Sequence, residues 1–205
     1  MEDLTLKYNN ILTPEELFTF MEDNIKYGIH GTNNEDYIPH DEKTNGIFQN
    51  ACLNYYRLAD PKYLLKHKLG HCWDQVELER DWFTKHKYNF KTIFIWFLFD
   101  YENSYSTHTT LIYQDKQTND YCLFEHADFE NKGIHHFKTY QDAIKWEYDK
   151  HIEYNKKQGN PINEEILKHI HIYEYEHPKY GSTFMDFIDN IFNAKEITNI
   201  IEGED

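Results

Sequence analysis

Residues 90–99 read FKTIFIWFLF, β-branched or aromatic at nearly every position. A strand wet on one face alternates apolar with polar side chains. This run does not, so it predicts a strand buried on both sides. Working outward, residues 107–113 and 120–127 have strand character and are joined by the turn-rich stretch 114–119. Residues 133–137 are a further short strand, and 169–176 alternate as another. Helical patterns lie on either side of these strands. Thr13-Pro14-Glu15-Glu16 is a capping box with proline at the first helical position. Leu17, Phe18, Met21 and Ile25 follow as an apolar stripe, with Gly28 placed to end the helix. Residues 30–45 read as a polar surface loop, and Asp60-Pro61 opens a short helix through Leu64-Leu65 that Gly70 breaks. Residues 72–85 read as a helix, with Cys72, Val76 and Phe83 inward and Asp74, Glu77, Glu79 and Asp81 on a solvated face. Thr139 caps a helix carrying Ile144, Tyr148 and Ile152, and Ser182 starts a last one with Phe184, Ile188, Ile191 and Phe192. Helices, then a meandering antiparallel sheet, then more helix make an α+β layout.

The 205 residues suit one domain spanning 1–205, with its core at about 60–140 and helical flanks. Aromatics at 17% argue for a packed core and against disorder. A net charge of −15 repels polyanions, which argues against direct nucleic-acid binding and against an anionic membrane surface. No apolar run approaches the roughly 20 residues that a bilayer span needs. Met1 to Asn10 lack the apolar core of a signal peptide, so a cytoplasmic location is expected. In that setting the three cysteines, Cys52, Cys72 and Cys122, read as free thiols.

Cys72 follows Gly70-His71 and opens a helix, where the positive end of the macrodipole favours a thiolate. A thiolate nucleophile needs a base that takes and returns a proton, and His108 at a strand start is the candidate. The imidazole in turn needs an acceptor. If the turn is centred between residues 116 and 117, His108 stands opposite Glu125, within reach of a carboxylate–imidazole bond. A slip of one residue puts His126 there instead, and Asp128 is the alternative acid. Trp73, Gln75 and His126 are candidates for the pocket wall. Cys122 falls on the opposite strand face from Glu125, and Cys52 lies in an aromatic helical stretch, so both read as packing residues. His135-His136 and His169/His171 lack a metal-ligand spacing, so no metal and no cofactor are expected.

Gly70-His71-Cys72-Trp73, the strand at His108 and the acid in Tyr121-Cys122-Leu123-Phe124-Glu125-His126 together resemble the transglutaminase-like superfamily. The likeness covers about residues 60–140, with 36 residues from cysteine to histidine and 17 from histidine to acid. It implies a papain/transglutaminase-like α+β fold, in which the helix bearing the nucleophile packs on an antiparallel sheet. It also implies a Cys-His-acid triad of Cys72, His108 and Glu125, acting on a peptide-like amide or ester through a thioester. Two departures stand out. Glu125 occupies the place where the family usually has Asp. Lys66-His67-Lys68-Leu69 replaces the Arg-Gly-Gly run of the arylamine N-acetyltransferases, which argues against acetyl-CoA. Whether water or an amine resolves the thioester stays open. So does a reading of another class: a catalytically inactive, acidic interaction protein on the same scaffold.

Overall fold

The computed structural model describes residues 4–99 and 105–202; Met1, Glu2 and Asp3, in the stretch read for a signal peptide, lie outside them. The chain runs α1 (Leu4–Asn9), α2 (Pro14–Asn24), β1 (Lys26–Tyr27), β2 (Ile29–His30), β3 (Asp36–Tyr37), α3 (Glu42–Tyr55) and α4 (Pro61–His67). It continues with β4 (Leu69–Gly70), α5 (Cys72–Lys85), β5 (Phe90–Leu98), β6 (Tyr105–Gln114), β7 (Tyr121–Glu125) and β8 (Gly133–Phe137). The last elements are α6 (Tyr140–Lys157), α7 (Glu164–Leu167), β9 (Ile170–Tyr175), α8 (Phe184–Phe192), β10 (Lys195–Glu196) and α9 (Asn199–Glu202). The fold is mixed α+β around a six-stranded antiparallel sheet in the order β10-β9-β5-β6-β7-β8.

The double-sided apolarity of β5 has a direct structural cause. Ile93, Ile95 and Phe97 join Ile112, Leu123, Ile170 and Ile172 under Ala143, Ile144 and Ile152 of α6. Phe94 points the other way, to Tyr173, Tyr175, Trp73 and Phe187. Further along that face, Leu111, Tyr113, Cys122 and Phe124 meet Leu17, Met21, Leu64, Leu78 and Phe83 from α2, α4 and α5. Helices thus cover both faces of the sheet, and alternate residues of each central strand feed opposite layers.

α5 departs from expectation. Its acidic residues were assigned to a solvated face, but Asp74, Glu77 and Glu79 are all buried, and only Asp81 reaches partial exposure. Periodicity assigns acids to water; here most have partners that replace it. Asp74 accepts hydrogen bonds from the Tyr56 hydroxyl, the Ala59 amide and the His71 amide, at 2.8, 2.8 and 2.9 Å. It therefore caps α5 and ties that cap to the preceding loop, although burial pushes its pKa up to about 6. Glu77 is held by Arg80 at 3.1 Å and His177 at 3.0 Å, and Arg80 continues to the Thr92 hydroxyl.

Three local expectations also change. Residues 30–45 are not one loop: β2 pairs with β3, and α3 begins behind a capping box at Asp41 and Thr44. α2 ends at Asn24 rather than at Gly28. Gly28 instead adopts φ +156° between β1 and β2, where a Cβ would sit 2.7 Å from the Tyr37 carbonyl oxygen. The short β10 and α9 follow the last expected helix. Among the described residues, no helix is long and apolar enough to cross a membrane.

Candidate active site

Cys72 is the first residue of α5, positioned by the Asp74 cap, and its sulfur is buried. Three side chains converge on it. His71 Nδ1 lies 3.5 Å from Sγ, and Tyr27 and His108 are near enough to the thiol to interact with it electrostatically. Burial alone raises a thiol's pKa, but the His71 charge and the interactions with His108 and His71 outweigh it and bring Cys72 down to about 6. The other two cysteines behave oppositely. Burial raises Cys52 above the ordinary thiol range and pushes Cys122 up to about 11.

His108 comes from the first half of β6. The ladder with β7 covers only Leu111 to Gln114 of β6, so the strand beside His108 has no β7 partner. Its Nε2 lies 2.7 Å from Glu125 Oε2, which leaves Nδ1 as the ring nitrogen for the thiol. Burial works against an imidazolium here, but Glu125, the interaction with Cys72 and the nearby Glu147 prevail and hold the His108 pKa well above its usual value. The carboxylate is itself fixed, because Glu125 Oε1 accepts the Ala127 and Asp128 amides at 2.8 and 2.7 Å.

The register differs from the hairpin expectation by two residues. Leu111 pairs with Phe124, so the position opposite His108 falls beyond Glu125. A two-residue shift keeps the same strand face, since side chains alternate with period two. Glu125 therefore reaches His108 diagonally. Asp128 lines the nearby cavity, but its oxygens accept from the Glu130 amide and the Asn131 side chain, not from His108.

The residues expected at the pocket wall lie elsewhere. Trp73 is stacked on Phe187 and Phe184, with centroids 3.9 and 4.6 Å away. Gln75 donates to the Gly70 carbonyl at 2.8 Å, and its Oε1 is 2.6 Å from His126 Nδ1. His126 reaches Glu22 at 3.0 Å on its other side, and burial drops its pKa to about 4. These contacts lock α5 to its neighbours, and none of the three residues lines the cavity.

That cavity, of about 600 Å³, is walled by His108, Glu147, His151 and Tyr154 on one side and by Tyr27, Phe48 and Phe129 on another. Tyr27 and His108 border it, while Cys72 is not among its lining residues. Sequence reasoning missed three contributors: His71, Glu147 and His151. His71 was visible as the neighbour of Cys72. Glu147 and His151 sit four residues apart on α6, beside the apolar stripe of Ile144, Tyr148 and Ile152, a placement that could have marked them as inward-facing. Glu147 Oε1 lies 3.8 Å from His108 Nε2, and burial pushes its pKa up to about 8. The nitrogen and oxygen donors of His108, Glu125 and Glu147 all fall within 4.8 Å of one another, so these three could hold a metal ion. Compared with known proteins, the chain matches no family model and no curated protein.

Proposed function

We propose that this protein is a thiol hydrolase or acyltransferase of the transglutaminase-like kind, with a papain-like arrangement of helix and sheet. The observation that supports it is the His108 imidazole held 2.7 Å from the Glu125 carboxylate, near a Cys72 thiol whose pKa is lowered to about 6.

In this reading, Cys72 Sγ attacks the carbonyl carbon of an amide or ester, and the C=O π pair moves onto oxygen. The amides at the start of α5 have no intrahelical acceptor, so the Cys72 N–H serves the developing oxyanion. Collapse of the adduct expels the amine or alcohol, which takes its proton from the His108 imidazolium and leaves a thioester. Water or a second amine then attacks the thioester, with His108 accepting its proton, and the thiolate departs. Glu125 holds the tautomer and orientation of His108 throughout, without taking the proton.

Incubation with a peptide-amide library, with and without added amines, tests the reading. An acyl adduct on Cys72 by intact-mass measurement is expected, lost in Cys72→Ser. No adduct on any substrate, together with a melting temperature that collapses in Cys72→Ser, would instead mark a core thiol in a binding protein.

A further inference from the structure

His108, Glu125 and Glu147 come from three different elements, β6, β7 and α6, yet their donor atoms share one small volume. One imidazole nitrogen and two carboxylate oxygens form a borderline-to-hard donor set, the kind that zinc-class divalent ions take. His108 and Glu147 face the cavity of about 600 Å³, so a fourth coordination position would open onto space large enough for water or a ligand.

Two further observations support a cation site here. His151, one turn beyond Glu147 on α6, is buried, lines the same cavity and stacks alongside His108 with ring centroids 6.4 Å apart. Its Nε2 has no hydrogen-bond partner, a state that is unfavourable for a buried polar group. Behind it, Glu79 is equally buried, within electrostatic reach of Glu125 and His108, and its Oε2 also lacks a partner. Three buried carboxyl groups thus surround one imidazole, and no Lys or Arg lines the cavity among the described residues. A bound cation would give these carboxyl groups a charged partner.

We propose that His108, Glu125 and Glu147 form a binding site for one zinc-class divalent ion, whose open position carries a water facing His151 Nε2. The site does not depend on thiol chemistry. If the thiol reading also holds, an ion on His108 Nε2 stops that imidazole from carrying two protons, and the bound ion is an off-switch for acid–base catalysis at Cys72.

The test uses the full chain, stripped with chelator and titrated with Zn²⁺ or Co²⁺ by calorimetry and visible absorption. One ion per chain is expected, with at least tenfold weaker binding in Glu147→Gln and unchanged binding in Cys72→Ser. A His171→Ala control on the surface His171–Glu196 pair should bind as the wild type does. X-ray absorption of the wild-type Zn²⁺ complex needs no variant. Only nitrogen and oxygen neighbours are expected, whereas a zinc–sulfur distance near about 2.3 Å overturns the site. So does the absence of stoichiometric binding, or binding that survives Glu147→Gln and is lost in Cys72→Ser. Alkylation of Cys72, measured with and without Zn²⁺, separates the two readings. Stoichiometric metal without preferential Cys72 labelling leaves the ion site standing and removes the thiol enzyme; the reverse result removes the ion site alone.

Discussion

Glu125 holds His108 with one oxygen and its own loop with the other: Oε2 meets Nε2 at 2.7 Å while Oε1 accepts the Ala127 and Asp128 amides. Glu125→Gln separates these roles. The amide oxygen can keep the loop bonds while the NH₂ presents a donor to His108. Without the carboxylate, the imidazolium loses its main electrostatic support, and the thiolate loses the cation beside it. In metal-free protein, wild-type Cys72 alkylation by iodoacetamide should rise with pH through about 6. In Glu125→Gln the same curve should move up by about one unit or more. Coincident curves would mean that the carboxylate does not govern the thiol.

The labelling order of the three cysteines is a direct consequence of their surroundings. At pH 7, Cys72 should react before Cys122 and Cys52, both of which burial keeps protonated. Peptide mapping by mass spectrometry after brief exposure reads the order. Equal labelling at all three sites would contradict it.

Access is a separate matter from ionisation. Tyr27 is within electrostatic reach of the Cys72 thiol and borders the cavity. Tyr27→Ala should therefore speed Cys72 alkylation severalfold at pH 8, where the thiolate is formed with or without the tyrosine hydroxyl. An unchanged rate would place the barrier elsewhere.

The depressed Cys72 pKa also predicts a stability signature. The folded state releases this proton near pH 6, the unfolded chain only near the ordinary thiol value of about 8.5. Between those limits the unfolded state binds more protons, so the wild type should gain stability over Cys72→Ala as pH rises from 6 to 9, and lose that gain as pH falls through 6. Denaturant unfolding at both ends of the window should show a difference of at least about 1 kcal/mol.

Trp73 adjoins the candidate nucleophile but serves packing. It is fully buried and stacked between Phe187 and Phe184, joining α5 to α8. Trp73→Ala should cost about 3–5 kcal/mol in denaturant unfolding. A small loss with altered substrate selectivity would reassign it to the pocket.

The α+β order and the central strand were legible because β5 is apolar on both faces and its neighbours carry clear turn signals. The alignment of His108 with Glu125 survived a register error because an even shift preserves the strand face, and the longer glutamate side chain covers the diagonal. The buried acids of α5 were not legible. Asp74 and Glu77 owe their burial to Tyr56, Ala59, Arg80 and His177, which only the tertiary fold brings near. Glu147 and His151 lie beside the Ile144, Tyr148 and Ile152 stripe of their helix, but the partners they meet there, His108 above all, come only with the packing of α6 against the sheet. A pattern along one segment records what faces inward on average, not which polar groups meet there.

The ladder that carries Tyr27 is very short. β1 and β4 share only the pairs Lys26–Leu69 and Tyr27–Gly70, with the Lys26 and Gly28 amides bonded to the Lys68 and Gly70 carbonyls. So few bonds can part while the six-stranded sheet stays whole, and Tyr27 would move with them. Deuterium should enter the Lys26 and Gly28 amides well before those of β5, and admission to the thiol would then run on the clock of a local breathing motion instead of global unfolding.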